Sequence, residues 1–143
     1  MIFHISGSRR YMDLMNQEIA NLIKVYETAL NNTDTEVVMS VYGNDPIFMP
    51  QNSVAIAGRD DVKTSYERIF ATIKLTVAFN VHEIVDLGHN LAYGRTTSEG
   101  QQEVLATRAK SKEANNELFI FRKEDEKWKI HRYLFATSVP LHE

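Results

Sequence analysis

Residues 115–138, NNELFIFRKEDEKWKIHRYLFATS, decide how the rest of the chain is read. Two runs rich in aromatic and β-branched residues flank the charged segment KEDEK at 123–127, which is the pattern of a β-hairpin. In the first run Glu117, Phe119 and Phe121 alternate onto one face, so a carboxyl group stands in register with two large apolar side chains. A charge in that position must be paired, neutralised or used. The second run offers His131, Arg132 and Tyr133 as partners. A turn at Glu124-Asp125 sets Arg132 opposite Glu117, and a turn one residue longer brings His131 or Tyr133 there instead. Both faces of the run are apolar, so periodicity leaves the register open.

Working outward from the hairpin, Lys110 to Asn116 reads as a polar loop or frayed edge. Before it, Leu75 to Leu87 and Asn90 to Glu99 alternate as strands, and Gly100 is expected to turn the chain into a further strand, Gln101 to Ala109. Nearer the start the period changes to that of helices. Met15, Ile19, Leu22, Ile23, Tyr26 and Leu30 recur at helical spacing behind an expected cap at Asp13. Thr33 to Glu36 has the form of a capping box before a short helix, and Asp60-Asp61 suit the positive end of a third, whose inner stripe is Val62, Tyr66, Ile69, Phe70 and Ile73. Short extended runs at Ile47 to Met49 and Val54 to Ala57 lie between them. Three N-terminal helices followed by long antiparallel strands give an α+β fold, with the helices packed on a strongly curved sheet to form a cone with an internal pocket. Residues 1–12 are expected to be a flexible tail, 13–139 a single domain and 140–143 a C-terminal tail.

The 143 residues carry 16 basic and 19 acidic side chains, a formal charge of −3, so no broad positive field is available for nucleic acid. No apolar run approaches the roughly 20 residues of a membrane span. Cysteine is absent, which removes disulfides, thiol nucleophiles and thiolate metal sites and agrees with a cytoplasmic location. His82 has no second histidine or acid at ligand spacing, and neither a metal nor a cofactor is expected. No nucleophile elbow and no glycine-rich phosphate loop is present.

The segments VYETALNNTD (25–34), VMSVYGNDPIFMP (38–50), AIAGRDDV (55–62), YGRTTSEG (93–100) and EANNELFIFRKEDEKWKIHRYLF (113–135) resemble the nuclear-transport-factor-two-like superfamily, in the SnoaL-like and ketosteroid isomerase homologue branch, and within it the SgcJ/EcaC-like proteins. The resemblance implies the cone-shaped fold, with activities that range from isomerase and cyclase to none. In the ketosteroid isomerase pattern a tyrosine on the first helix and a protonated acid on a late strand form an oxyanion hole facing an aspartate base. Tyr26 matches the tyrosine and Glu117 the acid, whereas the base position falls near Pro50, which cannot titrate.

The candidate catalytic residues are therefore Tyr26 and Glu117 with Arg132 or His131, and Glu117 has an alternative reading as a structural ion pair with Arg132 or Arg95. Phe48, Met49, Ile56, Tyr66, Phe70, Phe119 and Tyr133 are expected as the apolar wall of a ligand site, or as core. Tyr93 and Arg95 form a row with Thr97 and Glu99 that could line the pocket mouth. The expected ligand is a small apolar or aromatic molecule, bound or rearranged by acid–base steps. The alternative is a non-catalytic accessory or scaffold domain. A homodimer through the sheet face is expected in both cases, because Trp128, Ile130 and Leu134 alternate against Tyr133 and Phe135, leaving both faces of the last strand apolar.

Overall fold

A computed structural model describes residues 2–139, with side chains from Ser8 onward. Helices α1 (Ile2–Asn31), α2 (Thr35–Val41) and α3 (Arg59–Thr72) pack on a curved, open, six-stranded sheet. Its strands are β1 (Tyr42–Met49), β2 (Ile56–Ala57), β3 (Ile73–Gly88), β4 (Leu91–Val104), β5 (Lys110–Glu124) and β6 (Lys127–Thr137). The spatial order is β2-β1-β6-β5-β4-β3, antiparallel throughout except where β1 runs parallel to β6.

The helices begin and end for local reasons. Asp34 Oδ1 accepts the Val37 amide at 3.1 Å and caps α2. Gly58 precedes α3 at φ 93, a backbone position that favours glycine, and Asp60 and Asp61 occupy the first turn. Helix α1 does not start at Asp13. It runs from Ile2 through the stretch expected to be a tail, because a nucleated helix extends at little cost and residues 2–12 contain no proline. Tyr11 lies near the Lys123 ammonium, 5.7 Å from ring centroid to Nζ. The expected tail at 140–143 lies outside the described residues.

Two strands are longer than expected. β4 continues through Gly100, and β5 begins at Lys110, so the segment read as a loop is paired with β4. Gly100 marks a close approach of backbones, since a Cβ there would sit 2.0 Å from the Thr76 carbonyl oxygen. In the hairpin, Asp125 and Glu126 take φ 49 and 65, which places the turn one step later than Glu124-Asp125. A bulge then leaves His131 unpaired in β6, so Phe135 stands opposite Glu117 and Arg132 stands opposite Ile120. The bulge also brings Trp128, Ile130 and Tyr133 to the helix side together, all buried, while Leu134 faces outward.

The core fills the space between helices and sheet. Met15, Ile19, Ile23 and Tyr26 of α1 meet Phe119 and Phe121 of β5, all nearly inaccessible. Along β4 the inward positions are Ala92, Gly94, Thr96 and Ser98, small residues beneath large aromatic neighbours. A Cβ on Gly94 would lie 2.9 Å from the Phe121 ring, so its missing side chain makes room for that ring.

Candidate functional site

A cavity of about 440 Å³ lies between the helices and the concave side of the sheet. Tyr26, Tyr66, Phe48, Tyr133 and Glu117 form its buried end, and Gln51 and Ser53 its exposed end. The volume falls within the usual range for small-molecule sites. Leu30, Ile56, Ile69, Leu75 and Phe79 complete most of the apolar wall.

Four tyrosines meet at the closed end. Tyr66 Oη stands 2.6 Å from Tyr26 Oη and 2.6 Å from Tyr42 Oη, so one hydroxyl joins two others in a buried chain. Burial pushes the ionisation of all three, and of Tyr133, well above the ordinary phenol range, with hydrogen bonds to Tyr66, Tyr133 and Tyr42 offsetting part of the effect at Tyr26. They are therefore neutral hydroxyls at physiological pH. The rings stack where they can: Phe48 lies on Tyr66 with centroids 4.8 Å apart, and Tyr133 on Phe119 at 4.1 Å.

Glu117 is 4% exposed and meets hydroxyls rather than a cation. Thr96 Oγ1 donates to its Oε1 at 2.6 Å, and Ser98 Oγ donates to its Oε2 at 2.5 Å. Asn115 Nδ2 donates to Ser98 Oγ at 3.3 Å and to Glu113 Oε1 at 2.8 Å, extending the network along β5. Burial raises the Glu117 pKa above its ordinary value, against the lowering effect of the two hydroxyl bonds.

The site residues read from the sequence divide by face. Tyr26, Phe48, Ile56, Tyr66, Tyr133 and Glu117 line the cavity, with Pro50 also in its wall. Phe119 is fully buried beneath Tyr26 and Tyr133, and Phe70 packs behind Tyr66. Met49 is a correction, because alternation from Phe48 turns it to the outer face beside Leu134. Arg132 and His131 are corrections too. Arg132 Nη1 donates to the Asp45 carbonyl at 2.7 Å and stands 3.2 Å from His131 Nδ1, so the two residues meet each other and not Glu117. His131 has its pKa lowered by burial and by the neighbouring Arg132 and Arg122. Tyr93 and Arg95 lie on the outer face, where Arg95 Nε donates to Glu83 at 3.1 Å. The proposed ion pair of Glu117 with Arg95 or Arg132 is thus not formed.

The sequence reading missed Thr96, Ser98, Asn115 and Glu113, and it gave Tyr42 no part in the site. The parity of β4 carried the signal, because small residues at 92, 94, 96 and 98 mark the side of that strand where space is left. Among the described residues no group of three or more metal-ligating side chains gathers, and no helix is long and apolar enough to cross a membrane.

The family model described as the calcium/calmodulin dependent protein kinase II association domain matches residues 15–136. Among solved structures the chain is similar to a ketosteroid isomerase-like protein from Erwinia carotovora atroseptica SCRI1043, at 28% identity over 87% of this chain and 96% of that one, with a TM-score of 0.82. It shares its fold with an NTF-2 like protein of unknown function from Shewanella oneidensis MR-1 (17% identity, 84% and 97% covered, TM-score 0.64). The same holds for a domain of unknown function with a cystatin-like fold from Nostoc punctiforme PCC 73102 (15% identity, 88% and 78% covered, TM-score 0.68). These matches reach the nuclear-transport-factor-two-like level and do not single out the SgcJ/EcaC-like branch. No curated protein matches the chain.

Proposed function

The chain belongs to the calcium/calmodulin dependent protein kinase II association domain family, a nuclear-transport-factor-two-like group, and on that premise we propose that it binds a small, largely apolar ring compound in the cavity and handles it by proton transfer. The observation that carries this reading is a titratable carboxyl group, Glu117, set at the closed end of an aromatic-lined cavity without a cation beside it. Tyr26 and Tyr133 supply neutral hydroxyls within the same wall. Pro50 lies in the wall near the position that holds the isomerase base, so the acid–base capacity rests on Glu117 and the phenols.

A melting-temperature screen against phenolic and polycyclic compounds tests the binding. A ligand at 100 times its dissociation constant adds about 2.7 kcal/mol of stability, and that response should disappear in Glu117→Gln while the unliganded stability holds. Absence of any stabilising compound counts against the reading, and a large stability loss in Glu117→Gln makes the carboxyl structural.

The second reading, a homodimer paired through the outer sheet face, is favoured by one lateral row. Met49, Leu134, Leu118, Arg95 and Glu83 follow one another across β1, β6, β5, β4 and β3. Leu118 and Leu134 are 42% and 46% exposed at its centre. A self-complementary contact buries both leucines while the Arg95–Glu83 pair stays at the rim.

A further inference from the structure

The charge and hydrogen-bonding character of the cavity wall narrows the ligand class. Among the described residues the charged side chains that line the cavity are Glu113 and Glu117, and no lysine, arginine or histidine joins them. Arg95, Arg132 and His131 are all held away from it by strand parity and by the β6 bulge. An anionic ligand would therefore be buried with no counter-ion, which is costly in a low-dielectric site.

Glu113, Asn115 and Glu117 occupy alternate positions of β5, so they form one row on the inner face. The side-chain hydrogens of Asn115, Ser98 and Thr96 are already committed, while Gln102 of β4 lines the cavity farther along. Ser98 and Thr96 each donate a hydroxyl hydrogen bond to Glu117. Asn115 spends its amide hydrogens on Ser98 and Glu113. What these residues offer a ligand is oxygen: carboxyl oxygens, the Asn115 side-chain carbonyl and a Ser98 lone pair. These oxygens suit a ligand group that donates, and two carboxyl groups with no basic side chain in the lining favour a cationic one. The rest of the wall contributes the rings of Tyr26, Phe48, Tyr66, Phe79, Tyr133 and Phe135, with Phe135 and Phe79 the cross-strand partners of Glu117 and Ser98. Aromatic rings and carboxylates together favour organic ammonium ions over their neutral or anionic analogues.

We propose that the cavity takes an arylalkyl amine in its ammonium form, with the nitrogen against Glu117, Asn115 and Ser98 and the ring system among the aromatic side chains. This rests on the ligand-site reading above and adds the charge of the ligand to it. An ammonium offers three N–H donors to a wall of acceptors, and Glu117 supplies its counter-charge. When a neutral amine enters while Glu117 holds its proton, the carboxyl O–H bond breaks and an N–H bond forms, leaving a buried ammonium–carboxylate pair.

Three probes of nearly equal shape separate the possibilities: 2-naphthylmethylamine, 2-naphthylmethanol and 2-naphthoic acid, titrated calorimetrically into the full chain at neutral pH. The amine is expected to bind at least tenfold more tightly than the alcohol, with the acid weaker than both. That advantage should fall to near unity in Glu117→Gln and shrink in Glu117→Asp, which keeps the charge but withdraws it by one methylene. Alcohol binding equal to or tighter than amine binding overturns the amine assignment while leaving the cavity a ligand site. Persistence of the full amine advantage in both variants overturns it as well. Failure of all three probes removes the ligand-site reading and this inference with it.

Discussion

Glu117 is held by two hydroxyls and its titration is governed by burial, so its effect on stability has a definite sign. Its pKa is raised in the folded protein, which therefore keeps this proton at pH values where the unfolded chain has lost it. The stabilising contribution of this group is complete below the unfolded carboxylate value and is lost as pH rises through the higher folded value. Melting temperature measured from about pH 4 to 8 should fall more steeply with rising pH in the wild type than in Glu117→Gln, because the amide cannot ionise. A steeper fall in the variant contradicts the assignment. The tyrosine chain makes a second prediction at this scale. Tyr66→Phe removes the hydroxyl shared by Tyr26 and Tyr42 and leaves two buried phenol groups short of a partner. The expected cost is about 1–3 kcal/mol in urea unfolding, and an unchanged midpoint would show that the chain is dispensable to the fold.

Helix α1 protects an exposed edge of the sheet as well as roofing the cavity. β3 ends the strand order on one side, and three of its backbone groups are taken up by helix side chains. Asn31 Nδ2 donates to the Val77 carbonyl at 2.9 Å, the Val77 amide donates to Asn31 Oδ1 at 2.9 Å, and the Phe79 amide donates to Glu27 Oε1 at 2.7 Å. An asparagine thus pairs with the edge as another strand would, which blunts a surface open to aggregation. Asn31→Ala should cost about 1–3 kcal/mol and increase amide exchange at Val77, and unaltered exchange there would show that the contact does not protect the edge. At this scale the sequence was legible where one period dominated. The helical spacing of Met15 to Leu30 and the acids opening α3 were enough to place those elements. Legibility ended where a single residue changes the phase. His131 drops out of pairing and reverses the parity of β6, while Gly100 looks like a turn and is a close backbone crossing. No local pattern distinguishes these cases, because the deciding contacts, Thr76 beneath Gly100 and Ile120 opposite Arg132, are made by other strands.

Across the whole molecule, strand parity divides two surfaces with different chemistry. The inner face carries Thr96, Ser98, Asn115 and Glu117 beside the cavity, and the outer face carries Arg95, Arg132, Leu118 and Leu134. Glu117 could be found from strand alternation and Tyr26 from the helical spacing of α1. Tyr93 and Arg95 could not be assigned a face without knowing that Ala92, Gly94, Thr96 and Ser98 point inward to leave the space. If the outer face is a dimer contact, Leu118→Asp combined with Leu134→Glu should convert a dimer to a monomer in sedimentation velocity at micromolar concentration and leave ligand binding intact. A wild-type monomer under those conditions would contradict the pairing. The account as a whole depends on a carboxyl group at the buried end of a cavity that opens at Gln51 and Ser53. It is tested most directly by following the side-chain carboxyl carbon of Glu117 by NMR across a pH titration, with and without a bound naphthyl ligand. The account predicts a midpoint above the ordinary carboxylate range in the free protein and a clear change of that signal on ligand binding. An ordinary midpoint together with a signal indifferent to ligand would contradict it.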